Sequence, residues 1–549
     1  MSLNRRPIAP IPEETARIAR AAFPKGNRYM TMRDVLGVLY TDGHFTDLYE
    51  PVGQHAEPPW RLALVTLMQF SENLTDRQAA EAVRSRIDWK YALGLALTDA
   101  GFDFSILSEF RTRLIVGAAE ERLLTTLLTS FRERGLLKER RTQRTDSTHI
   151  VAAVRALNRL EIVGETLHAA LNVLADIAPA WLREQVPAEW GLHYGQRFTD
   201  YQLPKAKGDR QVLAETIGRD GLHLLTALYR DSAPPYLRMV PAVEILRQVW
   251  VQQFSQEDGA VHWRDIANCP PSSIMIASPY DVDSRYSEKR GHSWRGYKVH
   301  LTETCDDDTP HLITHVETTE ATAQDVTMVE TIHQALDKQA LLPAVHLVDG
   351  AYTSGEQFVR SQHAYQIDLT GPMRQDQSWQ AHDEQAYDIS RFQIDWEHES
   401  VTCPMGQQSQ YWKPAKGPRG KPTIQVLFPK KVCGACEVRA RCTRSKIGPR
   451  ELPLHPHAQH LAMQAARERQ QTASFQECYK RRAGIEGTIS QAAFALGMRR
   501  TRYRGLKKTH LHHIATATAI NLQRFVDWMG EMPRSKTYQS RFAKLLMAA

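Results

Sequence analysis

Three carboxylates have the type and setting for metal-assisted chemistry. Asp146 lies in RTDSTHIVAAV (144–154), Asp349 in AVHLVDGAYTSGEQF (344–358) and Glu486 in CYKRRAGIEGTISQAAFALG (478–497). The first two sit on short β-type runs, and the apolar run Val345, His346, Leu347, Val348 stops abruptly at Asp349 and Gly350. A loop can start that way, and so can a strand that delivers an acid to a site. Glu486 follows Ile485 in a helix whose Ile485, Ile489, Ala493 and Leu496 share one side, which puts the acid at the edge of a packed face. Taken singly, it reads as a glutamate offsetting basic neighbours. Three such acids meeting at one point can hold two Mg2+ ions, with Mn2+ as the alternative, because magnesium takes hard oxygen ligands in octahedral geometry. Two ions roughly 3.5–4 Å apart flank a phosphodiester and stabilise the attacking and leaving oxygens of an in-line displacement. The sequence has no Walker A, HExxH or G-x-S-x-G motif, so those chemistries lack their usual signatures. Asp281 and Asp283 precede a β-type run, and Asp306, Asp307 and Asp308 fall in a turn; none has a geometric reason to outrank the first three.

A second group is thiol. Cys403, Cys433, Cys436 and Cys442 fall in one basic stretch, and two cysteine hooks about 30 residues apart can supply four thiolates to tetrahedral zinc. A redox pair, an iron–sulfur site and free thiols are the rival readings, but no βαβ context surrounds the CxxC. His455, His457 and His460 read as a surface cluster rather than ligands. Cys269, Cys305 and Cys478 are isolated and read as packing residues.

The elements that must position these residues follow from pattern. The first ~125 residues read as helical: in LTDRQAAEAVRSRIDWKYALG (74–94) Thr75 and Gln78 form a capping box and Gly94 a stop, and a second helix is expected over 104–128. Arg84, Arg86, Arg111 and Arg113 there suit a helix-turn-helix-like reader or plain packing equally well. After the strand with Asp146 comes a mostly helical region to about residue 265. GYKVHLTETC (296–305) and HLITHVETT (311–319) read as a hairpin, followed by a helix over 325–339, the strand ending at Asp349, a helix from about Ser354 and a strand over 366–370. Alternation of this kind predicts an α/β layer with its last strands parallel, and in such sheets the functional crevice lies beyond the carboxyl ends of the strands.

Composition narrows the partners. With 549 residues and 42% hydrophobic content the chain is an ordinary globular protein of several units. The net charge of +7 is modest, but eleven Lys/Arg oppose one acid between Tyr411 and Arg450, and nine oppose Glu486 between Tyr479 and His510. Two such windows suggest phosphate contact. No run approaches the roughly 20 apolar residues of a membrane span, and the start, MSLNRRPIAPIPEE, lacks the apolar core of a secretory signal, so a cytoplasmic location is expected.

These residues resemble the DDE transposases of bacterial insertion sequences, over nearly the whole chain. LTDRQAAEAVRSRIDWKYALGL and FSILSEFRTRL resemble their opening helical domain, DSTHIVAAVRALNRLEIVGETL (146–167) the segment of the first Asp, VDGAY (348–352) the second, and GYKVH (296–300) the hairpin between. The most specific match is Tyr479, Arg482 and Glu486, which keep the family's spacing of Tyr, Arg and catalytic Glu; a Lys expected seven residues after the Glu is Ala493 here. RYRGLKKTHLHHIATATAINLQRF (502–525) resembles the end of the cysteine-containing branch.

The resemblance implies a ribonuclease-H-like mixed α/β sheet flanked by helices, with Asp146, Asp349 and Glu486 as magnesium ligands and a zinc-ribbon-like insertion holding structural zinc. It implies DNA contacts from Tyr479, Arg482, Arg499, Arg500, Arg502 and Lys298. The expected units are a helical DNA-binding domain (1–125), a catalytic core (140–155, 277–375 and 455–530), a helical insertion (156–276), a basic cysteine-rich insertion (376–454) and a tail (531–549). The expected activity is cleavage at a transposon end and attack of the freed 3′-hydroxyl on target DNA, by a homodimer or higher assembly on double-stranded DNA near the nucleoid. A metal-dependent DNA nuclease and a non-cutting DNA-binding protein derived from a transposase are the alternatives.

Overall fold

The computed structural model describes residues 1–3, 7–289, 291–417, 420–532 and 545; most of the expected tail (531–549) lies outside them. The centre is a mixed sheet of β1 (Thr142–Val151), β2 (His292–Thr304), β3 (Ile313–Glu320), β4 (Val345–Val348) and β5 (Asp368–Thr370). Its order is β3-β2-β1-β4-β5, with the short strand Arg285–Lys289 extending β2's other half. β1, β2 and β3 are antiparallel neighbours, while β1, β4 and β5 run parallel. This is a mixed α/β, ribonuclease-H-like sheet.

Each element follows from its sequence. β4 is apolar because it lies between two strands, and His346, Leu347 and Val348 are buried. The crossover from β3 to β4 is α1 (Asp325–Lys338), which turns Val329, Ile332 and Leu336 inward. After β4, Ser354 caps α2 (Gly355–Tyr365), accepting from the Gln357 N–H, and Gln366 ends it in the left-handed region. α3 (Gly484–Ser490) lies against β1, and α4 (Leu506–Met529) closes the same face. α4 is buried nearly all round because β3 covers one side and the amino-terminal helix Pro59–Ser71 the other. Phe131 stacks on Phe525 at 5.0 Å and Phe70 meets His512 at 5.3 Å, so the amino-terminal helices and the sheet share one apolar core. Among the described residues, no helix is long and apolar enough to cross a membrane.

The helical expectations need three corrections. The 74–94 segment keeps its Thr75–Gln78 capping box and its Gly94 stop but divides into Asp76–Ser85 and Ile87–Leu93. Arg86 adopts extended backbone between them, and its guanidinium bonds both Glu72 and Asp88. The 104–128 helix likewise divides, into Ser105–Val116 and Arg122–Glu133, at Gly117 and a left-handed Ala118. The region after β1 has its own core around Val163, Leu167, Ile217, Leu224 and Leu246, yet it ends in the hairpin Phe254–Glu257 with Ala260–Trp263. The Asp258-Gly259 turn, both residues at positive φ, is the signal that the helical reading passed over. A third core, around Phe392, Val401, Val426 and Leu452, belongs to the cysteine-bearing region and its sheet of Tyr411–Lys416, Pro422–Leu427 and Glu451–Leu454.

One buried polar network joins the layers. Glu303 of β2 has a fully buried side chain. Its Oε1 accepts from Arg144 of β1 at 2.6 and 2.8 Å, and its Oε2 accepts from Thr488 of α3 at 2.6 Å and Arg524 of α4 at 2.7 Å. Arg524 also donates to the Thr488 hydroxyl at 2.6 Å. Despite burial, the two guanidiniums hold the Glu303 carboxyl below its usual pKa. Removing one partner of such a group leaves charge buried and unpaired, at a typical cost of about 3–5 kcal/mol. Glu303→Gln, which leaves Arg144 and Arg524 without a counter-charge, is expected to lose about that much stability in denaturant unfolding. A loss below about 1 kcal/mol would show that the network does not hold the layers together.

Candidate active site

β1 and β4 place two of the acids. Thr145 pairs with Val348 in the parallel register, so the next residue on each strand, Asp146 and Asp349, stands beside the other. Adjacent strands are about 4.8 Å apart. β4 ends there, which leaves β1 open on that side from Asp146 until residues 499–501 bridge to Val151. Beneath the acids the strands are joined by buried imidazoles: Thr145 Oγ1 bonds His346 Nε2 at 2.7 Å, and His346 Nδ1 bonds His333 Nε2 at 2.8 Å. Burial lowers both imidazoles, His333 to about 4, so this link is uncharged at neutral pH. Gly350 is not in the left-handed region; a side chain there would press on the Pro372 carbonyl, 3.2 Å from an added Cβ. It gives room for the neighbouring loop rather than a special turn.

The third acid reaches the site from α3. α3 lies flat on β1 because Gly484 has no side chain where the Arg144 guanidinium passes, 2.1 Å from an added Cβ. Glu486 projects outward, 67% exposed, and its Oε1 is 3.2 Å from Arg482 Nη1. The other arm of Arg482 donates to Asp146 Oδ2. One guanidinium therefore links the first and third acids. Burial drives the Asp146 carboxyl up to about 6 against the pull of Arg482, with Asp349 adding to the rise. Tyr479, stacked on Phe475 at 5.3 Å, is held above its usual pKa by burial, and the charges of Arg482, Asp349, Asp146 and Glu486 all act on it. Asp146, Asp349, Glu486, Tyr479 and Arg482 thus form one electrostatic unit.

The donor chemistry suits a hard divalent cation. Asp146 Oδ1 accepts its neighbour's N–H from Ser147 at 2.7 Å, and Asp349 Oδ1 accepts the Ala351 N–H at 2.8 Å, which fixes both carboxylates, while Asp146 Oδ2 accepts from Arg482. Among the described residues, no three or more His, Cys, Asp or Glu side chains are gathered into a metal cage. Arg482 supplies the positive charge between Asp146 and Glu486 in this arrangement.

Of the expected cations, Arg499 bonds Thr148 Oγ1 at 2.7 Å and the His149 carbonyl at 2.9 Å, beside the acids, and Arg500 is exposed next to it. Two others lie elsewhere. Arg502 donates to the Leu74 carbonyl and to Asn73, tying the sheet's partners to the amino-terminal helices. Lys298 bonds the Ala323 carbonyl at 2.7 Å and Asp325 at 2.9 Å, anchoring the start of α1. Arg86 and Arg111 are likewise held in ion pairs within the amino-terminal helices. Asp281 accepts from the Tyr297 hydroxyl, and Asp283 Oδ2 accepts the first N–H of α4 at 2.8 Å. Asp306 binds Arg481 at 2.7 Å, so the turn acid helps seat the segment before α3 rather than standing in solvent.

The four cysteines line a single cavity of about 360 Å3, with free thiols. Burial pushes the Cys442 thiol up to about 11, opposed by Arg450 and reinforced by Cys433, Cys403 and Cys436. Thiols that perturb one another in this way are neighbours, drawn from segments about 30 residues apart in sequence.

The sequence reading missed Glu303 and its partners Arg144, Thr488 and Arg524. The signal was there: Tyr297, Val299, Leu301 and Glu303 share one parity in β2, and an acid on an apolar strand face demands a buried partner.

Residues 402–526 match the family model described as Transposase DDE domain, and residues 17–113 match that described as Transposase domain (DUF772). The first span holds all four clustered cysteines together with Tyr479, Arg482 and Glu486; Asp146 and Asp349 precede it. No curated protein matches the chain.

Arg482 lowers the Asp146 pKa, so replacing it moves that titration upward. In the protein without added metal, the Asp146 carboxyl carbon is expected to titrate near pH 6 by NMR and to shift higher in Arg482→Gln. A midpoint unchanged by the substitution would show that the guanidinium does not act on Asp146.

Proposed function

On the footing that the chain is a transposase of the DDE class, we propose that it binds the ends of its own element, cleaves DNA there and joins the freed 3′-hydroxyl to target DNA. Asp146, Asp349 and Glu486 are the acids at which both transfers occur. The observation that carries this reading is the parallel register that sets Asp146 beside Asp349, with Arg482 reaching from Asp146 to Glu486. Mg2+ or Mn2+ held by these acids would supply positive charge at the attacking and leaving oxygens of the phosphodiester.

The chain's own groups do the rest. The anchoring of Asp146 and Asp349 by neighbouring N–H groups orients both carboxylates before DNA arrives. Arg482 suits a backbone phosphate because its planar fork makes paired hydrogen bonds to phosphate oxygens. Tyr479, Arg499 and Arg500 surround the same edge and would fix the strand's register without reading its sequence. Residues 1–125 and the basic region 376–454 serve as further DNA contacts, and two copies acting together would bring two ends into one assembly. Cys403, Cys433, Cys436 and Cys442 would hold a structural zinc, a donor set that suits a tetrahedral closed site.

Asp349→Ala is expected to abolish Mg2+-dependent cutting of end-containing DNA while leaving binding intact, measured on labelled oligonucleotides and by gel shift. Undiminished cutting would sink the assignment of the acids. Products joined to a target duplex separate this reading from a plain nuclease, and binding without any cutting would favour a non-cutting derivative. For the cysteines, metal analysis of purified protein should find about one zinc per chain, lost in Cys433→Ser; zinc-free, folded protein would remove that part of the proposal.

A further inference from the structure

α3 does not continue as a regular helix. At Gln491–Ala495 it widens into a π-turn, in which the Leu496 N–H donates to the Gln491 carbonyl five residues back. Such turns insert one residue and occur often at functional sites. Each residue of an α-helix rotates about 100°. A regular helix would therefore have put Ala493, seven residues after Glu486, on the acid's face. The inserted residue moves Ala493 inward, where it is 3% exposed, and brings Phe494 round to the outer face in its place. The resulting exposed stripe is Glu486, Gly487, Ser490 and Phe494, with Ile485, Thr488, Ala492 and Ala493 beneath.

Phe494 is 77% exposed, an arrangement that apolar burial alone disfavours. One side of its ring faces the Arg499 guanidinium at 5.8 Å. That arginine is itself fixed to β1 through Thr148 and His149, two and three residues beyond Asp146. His149 in turn packs on Trp294 at 5.1 Å. An aromatic ring is thus held by a cation anchored on the acid-bearing strand, while its other side stays open. Between Glu486 and the ring the stripe carries only glycine and serine, leaving room for a nucleic-acid strand to lie close. Eight residues of helix span about 12 Å, the rise of roughly three stacked nucleotides.

We propose that the open face of Phe494 is a stacking platform for one unpaired DNA base close to the cut, so that the π-turn exists to present this ring beside Glu486. The occupant is a base rather than a protein side chain because the ring shares its edge with the phosphate-directed cations Arg482, Arg499 and Arg500, and aromatic rings hold bases through their π-faces whatever their sequence. The ring positions the strand and takes no part in bond making. The inference rests on the transposase reading above.

Its test uses duplex oligonucleotides bearing the terminal sequence of the element that encodes this chain, with 2-aminopurine placed singly at positions flanking the cut. With the unaltered protein and Ca2+ in place of Mg2+, the fluorescence of one position should change on binding. Phe494→Ala should lose that change and cut in Mg2+ roughly tenfold more slowly, while Phe494→Trp keeps both. A fluorescence change that survives in Phe494→Ala, or equal cutting by the two proteins, overturns the stacking role alone. So does a Phe494→Ala protein altered only in its oligomeric state. Absence of any Mg2+-dependent cutting by the unaltered protein overturns the underlying transposase reading and the platform with it.

Discussion

The fully buried carboxylate of Glu303 is the constraint on which the site geometry depends. A lone buried ion is too costly to keep, so the chain must bring Arg144, Arg524 and the Thr488 hydroxyl to it from three other elements. Thr488 is two residues from Glu486, and Arg144 two residues from Asp146. Satisfying one buried charge thereby fixes α3 on β1 at the point where Arg482 links Asp146 to Glu486. Gly484 allows the approach because a side chain there would collide with Arg144. The site's precision comes from a residue that is not part of it.

The acids themselves show the opposite arrangement. Asp146 is pushed toward neutrality by burial and held back by Arg482, while Glu486 stands largely in water. Asp349 beside Asp146 raises its carboxyl, and the guanidinium of Arg482 offsets that repulsion. Arg482 is held between Asp146 and Glu486, while neutral imidazoles and an apolar layer bind the strands bearing Asp146 and Asp349 from below. The result is a fixed pair of acids, one bridging cation and one exposed acid.

Much of the sheet was legible in the sequence because its strands alternate or run apolar at a length only strands have. The hairpin, the strand before Asp349 and the capped α2 all follow from local pattern. Asp349 stands where such a run ends, and Glu486 was singled out by the resemblance that its spacing from Tyr479 and Arg482 carries. Glu303 was less so, because its meaning depends on three partners 159 residues or more away on one side and up to 221 on the other. The roles of Arg502 and Lys298 were hidden for the same reason: a cation's type says it seeks an anion, and only the fold says that Asn73 or Asp325 supplies the partner. The π-turn was invisible to a fixed 3.6-residue period, which put Ala493 on the packed side with Ile485 but gave no reason for Phe494 to face outward.

The topology explains how so long a chain keeps a small site intact. β1, β4 and β5 are parallel, so their carboxyl ends share one edge of the sheet, the edge where Asp146 and Asp349 stand. The helical region leaves the sheet after β1, and the cysteine-bearing region leaves after β5. Each packs its own apolar core, so neither needs to disturb the strands from which it branches. Additions at the carboxyl ends of parallel strands grow from the rim of the crevice. The amino-terminal helices do the reverse: they join the sheet's own core around α4, which explains why Arg502 and Phe131 are structural rather than solvent-facing. The same physics that closes the core on one side of the sheet leaves the other end free to vary.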